Sequence, residues 1–256
     1  KWLYIAVNAS VLMRRHARHP LHLFLLKKLW TSYAHIICLS TAQQHDFIRL
    51  GLHPKHLSFV PLGVDTQFFH SSGNKEDGEM ILSVGRDAGR DYQTLFRAAE
   101  RTPYQFVVIV GHSNVPADLT IPKNVSVLYE RSMLEIRDLF CRARLIAVVS
   151  KSERGLDGSD CSGQTVILDA LAAGKAVIAT ELSWISDYFV PGEDLLTVQP
   201  HDPEALASAI DALWRNKKMR ERIAEAGRRK MGGQYTTELF ADRLGAIMES
   251  LHENRP

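Results

Sequence analysis

The sequence predicts an α/β protein with doubly wound parallel sheets, and three observations support that fold class. Short apolar runs typical of buried strands recur along the chain, for example residues 105–110 (QFVVIV) and 145–149 (LIAVV). Segments with a helical spacing of apolar residues separate these runs. Glycine ends two of the runs directly, at Gly85 and Gly111. This alternation favours a parallel sheet covered by helices on both faces, in which ligands bind beyond the carboxyl ends of the strands.

The first 60 residues contain two predicted strands and two predicted helices. In chain order these elements are residues 3–7, 21–30, 35–39 and 41–50. The turn Pro61-Leu62-Gly63 follows and is interpreted as a linker, so we place a first domain at residues 1–60. A unit of this size is half of an α/β domain with exposed sheet edges. The chain begins with Lys1, and we expect sequence upstream of it to be missing.

A second domain is predicted at residues 61–234. Its predicted strands are residues 80–84, 105–110, 125–129, 145–149, 175–180 and 195–198, and its predicted helices are residues 92–100 and 165–173 and segments beginning at 133 and 203. Asp91 is a predicted N-cap, and Ser132 with Glu135 forms a capping box. The last segment, 235–256, has apolar residues at helical spacing, and we expect this helix to cross back to the first domain.

Composition excludes several functional classes. The 256 residues are 45% hydrophobic and 23% charged, which is ordinary for a folded domain, and the apolar runs are far shorter than a membrane helix of about 20 residues. The formal net charge of +2 argues against nucleic-acid binding. Three separated cysteines, Cys38, Cys141 and Cys161, exclude a disulfide framework and favour a reducing, cytoplasmic compartment.

The first candidate site is the loop after the strand at 80–84. Arg86 and Arg90 lie in the glycine-containing sequence GRDAGRD, just before a predicted helix. Guanidinium groups match phosphate oxygens, and glycine permits a tight turn, so the loop suits an anion. The alternative is that the two arginines pair with Asp87 and Asp91 at the surface.

The second candidate site is the start of the helix near residue 164. The turn at Ser162 and Gly163 leads into Gln164 and Thr165, where the free N–H groups of a first helical turn and the helix dipole attract an anion. Asp169 lies about one turn further on, where a carboxylate can reach sugar hydroxyls. The alternative is an ordinary helix cap followed by a solvated Asp.

Together the two candidates predict one crevice, because both follow strands of the same sheet. A diphosphate held between Arg86, Arg90 and the helix start near Gly163 would receive several charge-assisted hydrogen bonds. The prediction fails if the two loops lie on opposite sides of the molecule.

Three stretches resemble a known family. Ser162–Thr180 (SGQTVILDALAAGKAVIAT), Val84–Leu95 (VGRDAGRDYQTL) and Ile37–Phe69 are similar to retaining glycosyltransferases of the GT-B fold, and more narrowly to glycosyltransferase family 4 (group 1). The resemblance covers nearly the whole chain. It implies two Rossmann-like domains, of which the C-terminal one binds a nucleotide-diphosphate sugar and the N-terminal one an acceptor. The chain would be an N-terminally truncated member.

The resemblance also implies roles for single residues. Arg86 and Arg90 match the family's diphosphate-binding loop, with arginine in place of lysine, and Asp169 matches the acid that binds the ribose. The family's other acid falls on Cys161, a departure from the pattern, and Glu153, Asp157 or Asp160 is expected to substitute, Asp160 being nearest. Tyr129 and Arg131 match the region that contacts the base.

Further expectations concern catalysis and partners. The family's histidine-bearing catalytic loop is expected upstream of Lys1, so the fragment alone should be inactive and no catalytic residue is assigned. No metal is expected, because arginines replace it at the phosphates. The acceptor is an unknown saccharide or lipid-linked compound. The basic, apolar segment 14–30 suggests peripheral contact with the inner membrane face, or else packing against missing sequence.

Two alternatives remain open for function. A sugar-nucleotide epimerase on the same fold would use Glu153 or Asp160 as an acid or base. A non-catalytic nucleotide-sugar-binding module is favoured by Cys161 in place of an acid. A dinucleotide dehydrogenase is disfavoured, because no Gly-x-Gly-x-x-Gly motif follows a predicted strand.

Overall fold

The computed structural model describes residues 2–70, 78–111, 119–153 and 158–253. A small parallel sheet forms from the first part of the chain, in the order β1-β2-β3. Its strands are β1 (Leu3–Ala6), β2 (His35–Cys38) and β3 (Leu57–Phe59), and its helices are α1 (Ala9–Arg15), α2 (Pro20–Trp30) and α3 (Thr41–Arg49). We call this unit the small domain.

The larger sheet has six parallel strands in the order β6-β5-β4-β7-β8-β9. They are β4 (Met80–Gly85), β5 (Gln105–Val110), β6 (Val125–Tyr129), β7 (Leu145–Val148), β8 (Ala176–Thr180) and β9 (Leu196–Val198). The strand order reverses direction between β4 and β7, so the loops after these two strands open a crevice at the sheet's switch point. We call the unit built on this sheet the large domain.

Seven further helices follow in the described chain. They are α4 (Tyr92–Ala99), α5 (Met133–Arg142), α6 (Gln164–Ala172), α7 (Ile185–Tyr188), α8 (Pro203–Arg215), α9 (Lys217–Gln234) and α10 (Thr237–Glu253). Two buried clusters cover the faces of the six-stranded sheet, one including Leu82, Ile146 and Val177 and the other Ile81, Phe106 and Ile178. Apolar residues therefore line both faces, as the sequence predicts for a parallel sheet.

Local signals in the sequence explain where the helices of the large domain begin. The Asp91 carboxylate accepts from Thr94 N at 3.0 Å and caps α4. Ser132 and Glu135 form the predicted capping box at the start of α5. Both predictions of a helix start are confirmed.

The long helix α9 was not predicted, and neither were the short elements α1, β3 and α7. α1 has seven residues and begins three positions after the end of β1, α7 has four, and β3 has three. Elements this short contain too few residues to show a periodicity.

The linker joins the last helix to the large domain. Val64 N donates to Tyr235 O at 2.8 Å, and Thr237 N donates to Val64 O at 3.1 Å. Val64, Phe69 and Tyr235 are buried in a cluster of the large domain, whereas no residue of α10 is fully buried. The domain limits at residues 60 and 234 stay predictions.

No helix within the described ranges combines the length with the apolar composition that a bilayer crossing demands.

Candidate functional site

A cavity of about 800 Å³ lies between the two domains, beyond the ends of β4 and β7. The large domain lines it with Arg86, Arg90, Gly163, Gln164, Thr165 and Asp169, and the small domain with Ile5, Val7, Asn8 and Leu39. Phe240 of α10 adds to the wall. The two loops that the sequence singles out therefore meet in one cavity, although their roles in binding stay predictions.

The two arginines occupy different depths. Arg86 is exposed, and its Nη2 donates to the carbonyl of Arg131 at 3.1 Å. Arg90 is 5% exposed and its Nη2 donates to Val84 O at 2.8 Å. The Nε and Nη1 groups of Arg90 are buried without a described partner. Burial lowers the pKa of Arg90, and two unpaired N–H groups on a buried cation suit an anion in the cavity.

Gly163 brings the start of α6 close to Arg90. Its φ of +88° is the left-handed conformation that glycine adopts most easily. A Cβ at this position would lie 2.6 Å from Val148 Cγ1 and 2.9 Å from Arg90 Nη1. Thr165 and Val166 belong to the first turn of α6, whose N–H groups have no acceptor within the helix, and both residues line the cavity.

Ser162 lies beneath this turn rather than in the cavity wall. It is 6% exposed, and its hydroxyl donates to Asp87 Oδ1 at 3.1 Å and lies 3.2 Å from Ser150 Oγ. Asp87 also accepts from Gly89 N at 2.7 Å. Asp87 thus ties the arginine loop to the start of α6, and the two candidate loops form one connected unit.

Asp169 lines the same cavity about one turn into α6. Burial raises its pKa from 3.8 to about 7. No described donor lies within hydrogen-bonding distance of its carboxylate. A half-buried carboxylate without a partner can accept hydrogen bonds from hydroxyl groups of a ligand.

Asp160 is not placed as expected. Its carboxylate points away from the cavity and accepts from Ser10 N at 2.8 Å and Val11 N at 2.7 Å. Its neighbours Ser159 and Cys161 line the cavity instead. Successive side chains of this segment lie on opposite sides, so nearness to Cys161 in sequence does not bring Asp160 into the cavity. The expectation that Asp160 substitutes for the family's acid is corrected by this geometry.

Glu153, the second acid offered as a substitute, does not line the cavity either. Glu153 Oε1 accepts from Ser183 N at 2.8 Å and from Ser183 Oγ at 3.0 Å, outside the cavity lining. Asp157 falls outside the described residues. The thiol of Cys161 is largely buried, which raises its pKa and keeps it neutral.

Tyr129 and Arg131 lie beside the cavity rather than in its lining. Arg131 Nη1 donates to Tyr129 O at 2.7 Å, and its Nε lies 3.7 Å from a Glu135 carboxylate oxygen. The backbone carbonyl of Arg131 connects to the site through its hydrogen bond from Arg86. Contact of these two side chains with a base stays a prediction.

Several lining residues were not predicted from the sequence. Asn8 follows β1, Leu39 follows β2, and Met133 opens α5. Asn8 and Leu39 carried a usable signal, because they follow strand ends at the same edge of a parallel sheet. Phe240 carried none, since its position depends on where α10 packs.

Three of the histidines in the small domain, His16, His19 and His22, lie close together. His16 and His22 approach at 3.1 Å between Nδ1 atoms, and His19 packs against His22. Within the part of the chain that the structure describes, no group of three or more His, Cys, Asp or Glu side chains is arranged to bind a metal ion.

Comparison with known proteins identifies the family. A family model described as "Glycosyl transferases group 1" matches residues 64–230, which is more than half of the chain. The chain belongs to this family. The matched range contains both loops of the cavity and all six strands of the large sheet, so the group 1 signature and the geometry fall on the same residues.

The curated relatives of this group 1 chain include glycosyltransferases with different names. It is 26% identical over 186 residues to a lipopolysaccharide core biosynthesis glycosyltransferase, LpsE, of Rhizobium meliloti, covering 68% of this chain and 51% of the relative. It is 26% identical over 216 residues to the phosphatidyl-myo-inositol mannosyltransferase of Mycobacterium tuberculosis, covering 75% and 53%. The chain thus spans about half the length of these relatives.

Solved glycosyltransferases share the fold of this group 1 chain. HepE of Anabaena, crystallised with UDP-glucose, superposes with a TM-score of 0.79 at 17% identity, covering 97% of this chain and 72% of HepE. A glycosyltransferase from Rickettsia africae gives a TM-score of 0.75 at 17% identity, covering 90% and 67%. The predicted α/β fold of the GT-B type and the predicted group 1 membership are confirmed. Retention of configuration and assignment to family 4 stay predictions.

Proposed function

We infer that this chain is the donor-binding half of a retaining glycosyltransferase, which moves a sugar from a nucleotide-diphosphate sugar to an acceptor. The shared cavity carries the proposal. In it Arg86 at the mouth, Arg90 at the base and the first turn of α6 converge on one space, which is the arrangement that a diphosphate requires.

Each part of a nucleotide sugar has a place in this proposal. The diphosphate lies between the two guanidinium groups and the amides of Thr165 and Val166. Asp169, one turn along α6, accepts from the ribose hydroxyls. The base lies toward Tyr129 and Arg131, beyond Arg86.

No metal ion is needed for this mode of binding. Fixed positive charges aimed at the diphosphate can stabilise the negative charge of the leaving nucleotide. We expect a metal chelator to leave nucleotide affinity unchanged.

The test is a thermal-shift and calorimetry screen of the chain against UDP, GDP and ADP and their sugar conjugates. A true donor at 100 times its dissociation constant stabilises the fold by about 2.7 kcal/mol. Arg86→Ala should weaken its binding about 10- to 100-fold, because it loses hydrogen bonds to a charged group. Arg228→Ala, on α9 outside the cavity lining, is the matched control. No stabilisation by any nucleotide contradicts the proposal.

The acceptor follows from the relatives only as a class. The names of the relatives refer to a lipopolysaccharide core and a phosphatidyl-inositol, so we propose a saccharide or lipid-linked acceptor. Helix α2 has an exposed apolar face formed by Leu21, Phe24, Leu25 and Leu29. The basic residues Arg15, Arg18 and Lys28 are close to this face in sequence and are exposed. This combination supports peripheral contact with the cytoplasmic face of the inner membrane. Co-sedimentation with anionic and with neutral vesicles tests this, and binding independent of lipid charge contradicts it.

A non-catalytic binding module is the second candidate, favoured by one observation. Cys161 lines the cavity where the resemblance places an acid, and its thiol is neutral. We expect the chain alone to bind nucleotide without transferring sugar. Transfer by the full-length protein, or transfer gained on Cys161→Glu, identifies an enzyme. Products formed from the donor alone indicate an epimerase.

A further inference from the structure

Two carboxylates of the large domain reach across to helices of the small domain. Asp160 accepts from Ser10 N and Val11 N in the first turn of α1, at 2.8 and 2.7 Å. Asp187 accepts from the backbone N of Thr41 at 2.7 Å and from its hydroxyl at 2.8 Å, in the first turn of α3. Both contacts place a negative charge at the positive end of a helix dipole.

The α1 contact supplies what the small domain lacks. The N-cap of α1 is Asn8, whose side chain makes no capping hydrogen bond. The first N–H groups of a helix have no acceptor within it, so Ser10 and Val11 depend on Asp160. Without the large domain these two amides would donate their hydrogen bonds to water.

Asp160 is nearly enclosed by groups of the small domain. Its side chain is 3% exposed, with Arg14 Nη2 at 3.7 Å. Gln43 Nε2 donates to it at 2.8 Å, and Gln43 Oε1 accepts from Leu39 N at 2.7 Å. A buried carboxylate is stable only when paired in this way, whereas in an open form water would solvate it.

The position of Asp160 in the chain links this contact to the cavity. Ser159 and Cys161 on either side of it line the cavity, and Ser162 and Gly163 follow immediately at the start of α6. Gln164 adds a weaker contact, since its Nε2 lies 3.4 Å from Leu39 O of the small domain. A movement of the small domain would therefore also move residues 159–163, which lead into the start of α6 at the cavity.

We propose that Asp160 and Asp187 form an interdomain latch, which holds the domains closed by capping α1 and α3, and that Asp160 couples closure to the shape of the donor site. The latch stands on the contacts described here. The coupling rests on the proposed function. Asp160 is thus a positioning residue, which acts on the donor through the segment 159–163.

Amide hydrogen exchange on the whole chain tests the latch. In Asp160→Asn, exchange at residues 10 and 11 should accelerate at least tenfold, while β8 keeps its wild-type rates. Asp187→Ala, which removes both acceptors of Thr41, should do the same at residue 41 and serves as the second variant if Asp160→Asn does not fold. Asp202→Ala is the matched control, because Asp202 caps α8 within the large domain, accepting from Ala205 N at 2.8 Å, and alanine cannot replace this acceptor. It should accelerate exchange in α8 alone.

Two results overturn the latch. One is wild-type exchange at these amides in both variants. The other is acceleration that extends equally to β8, which would mean that the carboxylates support the fold as a whole.

The coupling has its own readout, with UDP as the probe. Saturating UDP should slow exchange at residues 10 and 11 of the wild type several-fold and leave Asp160→Asn unaffected. Equal slowing in both, or none in the wild type despite UDP binding, overturns the coupling. A wild-type chain that binds no nucleotide in the screen contradicts the proposed function and with it the coupling, while the exchange rates of the variants still decide the latch.

Discussion

The large and small domains differ in how they complete their own helices. In the large domain, Asp91, Ser132, Asp202 and Asn216 each cap the helix that follows them, while α6 and α7 have no side-chain cap. In the small domain, α1 and α2 have no side-chain cap, and only α3 is capped locally, by Ser40. Carboxylates of the large domain bind the first turns of α1 and α3 instead.

The same contrast extends to apolar packing and to charge. The large sheet is buried on both faces, whereas α2 leaves the side chains of Leu21, Phe24, Leu25 and Leu29 more than half exposed. The charged groups that line the cavity, Arg86, Asp87, Arg90 and Asp169, all belong to the large domain. From this difference we expect the large domain to be stable on its own and the small domain to depend on it for part of its order.

Separating the two domains should produce the largest effect. We expect residues 61–256 to fold alone and residues 1–60 to stay unfolded alone. An isolated C-terminal domain of the group 1 protein LpcC from Francisella tularensis has been crystallised and covers 68% of this chain, with a TM-score of 0.55 at 22% identity. Circular dichroism and amide exchange of the two pieces provide the measurement. Protected amides in isolated residues 1–60 would show that the small domain folds without the large domain and would contradict the prediction.

Gly163→Ala tests whether the large domain alone provides the nucleotide-binding site. Its positive φ makes alanine strained, by about 1–3 kcal/mol, and the new Cβ would press on Val148 and Arg90. We expect lower stability in denaturant and loss of nucleotide binding. If the large domain supplies the binding chemistry, residues 61–256 should show the same loss.

Gly192→Ala is the matched control for that substitution. Gly192 has a φ of +85°, but no atom lies within 4 Å of a Cβ built on it. Strain alone should lower the stability of this variant and leave nucleotide affinity intact. Equal affinity in the two variants would mean that close packing at Gly163 is unimportant for binding.

The pH dependence of Asp169 tests whether the large domain provides the titrating group of the cavity. Because burial raises its pKa from 3.8 to about 7, the folded state favours the protonated form, and stability from this group is lost as pH rises from about 4 to about 7. Asp169→Asn should therefore raise the melting temperature relative to wild type at pH 8 and have little effect near pH 4.

The effect of pH on nucleotide affinity should be opposite to its effect on stability. Ionised Asp169 accepts hydroxyl donors more strongly, so wild-type affinity for a nucleotide sugar should rise through pH 7, and Asp169→Asn should bind weakly with a flat profile. The parallel variant Asp187→Asn, outside the cavity lining, should keep the rise. A flat wild-type profile would exclude Asp169 from the site.

Ser132→Ala gives the smallest expected effect. Loss of its capping box at α5 should lower stability by about 1 kcal/mol, or roughly 2–4 °C in melting temperature. Since this cap lies within the large domain, exchange at residues 10, 11 and 41 should not change. Accelerated exchange at those residues would show that the two domains do not differ in the way described.

Much of the fold could be predicted because its signals are local. The strand at 80–84 extends by one residue to Gly85, the strand at 105–110 matches β5, and the capping box lies where the sequence placed it. α1 was missed because it follows β1 closely and is capped by a residue 150 positions away. Such a cap has no trace in the neighbouring sequence.

The candidate site divides in the same way. Arg86, Arg90, Gly163 and Asp169 reach one cavity because strand topology alone brings the ends of β4 and β7 together. Asp160 could not be placed from sequence, since it lies in the turn before α6 and only tertiary contacts decide which side chains of that turn line the cavity.

The hydroxyl group of Tyr188 lies where the large domain, the linker and the small domain meet. This one oxygen accepts from Leu62 N in the linker and donates to Leu39 O at the end of β2, both at 2.9 Å. A rotation of the small domain about an axis through this oxygen would preserve both bonds. In such a rotation the end of β2 would move little, and α1 would move further in proportion to its distance from the axis.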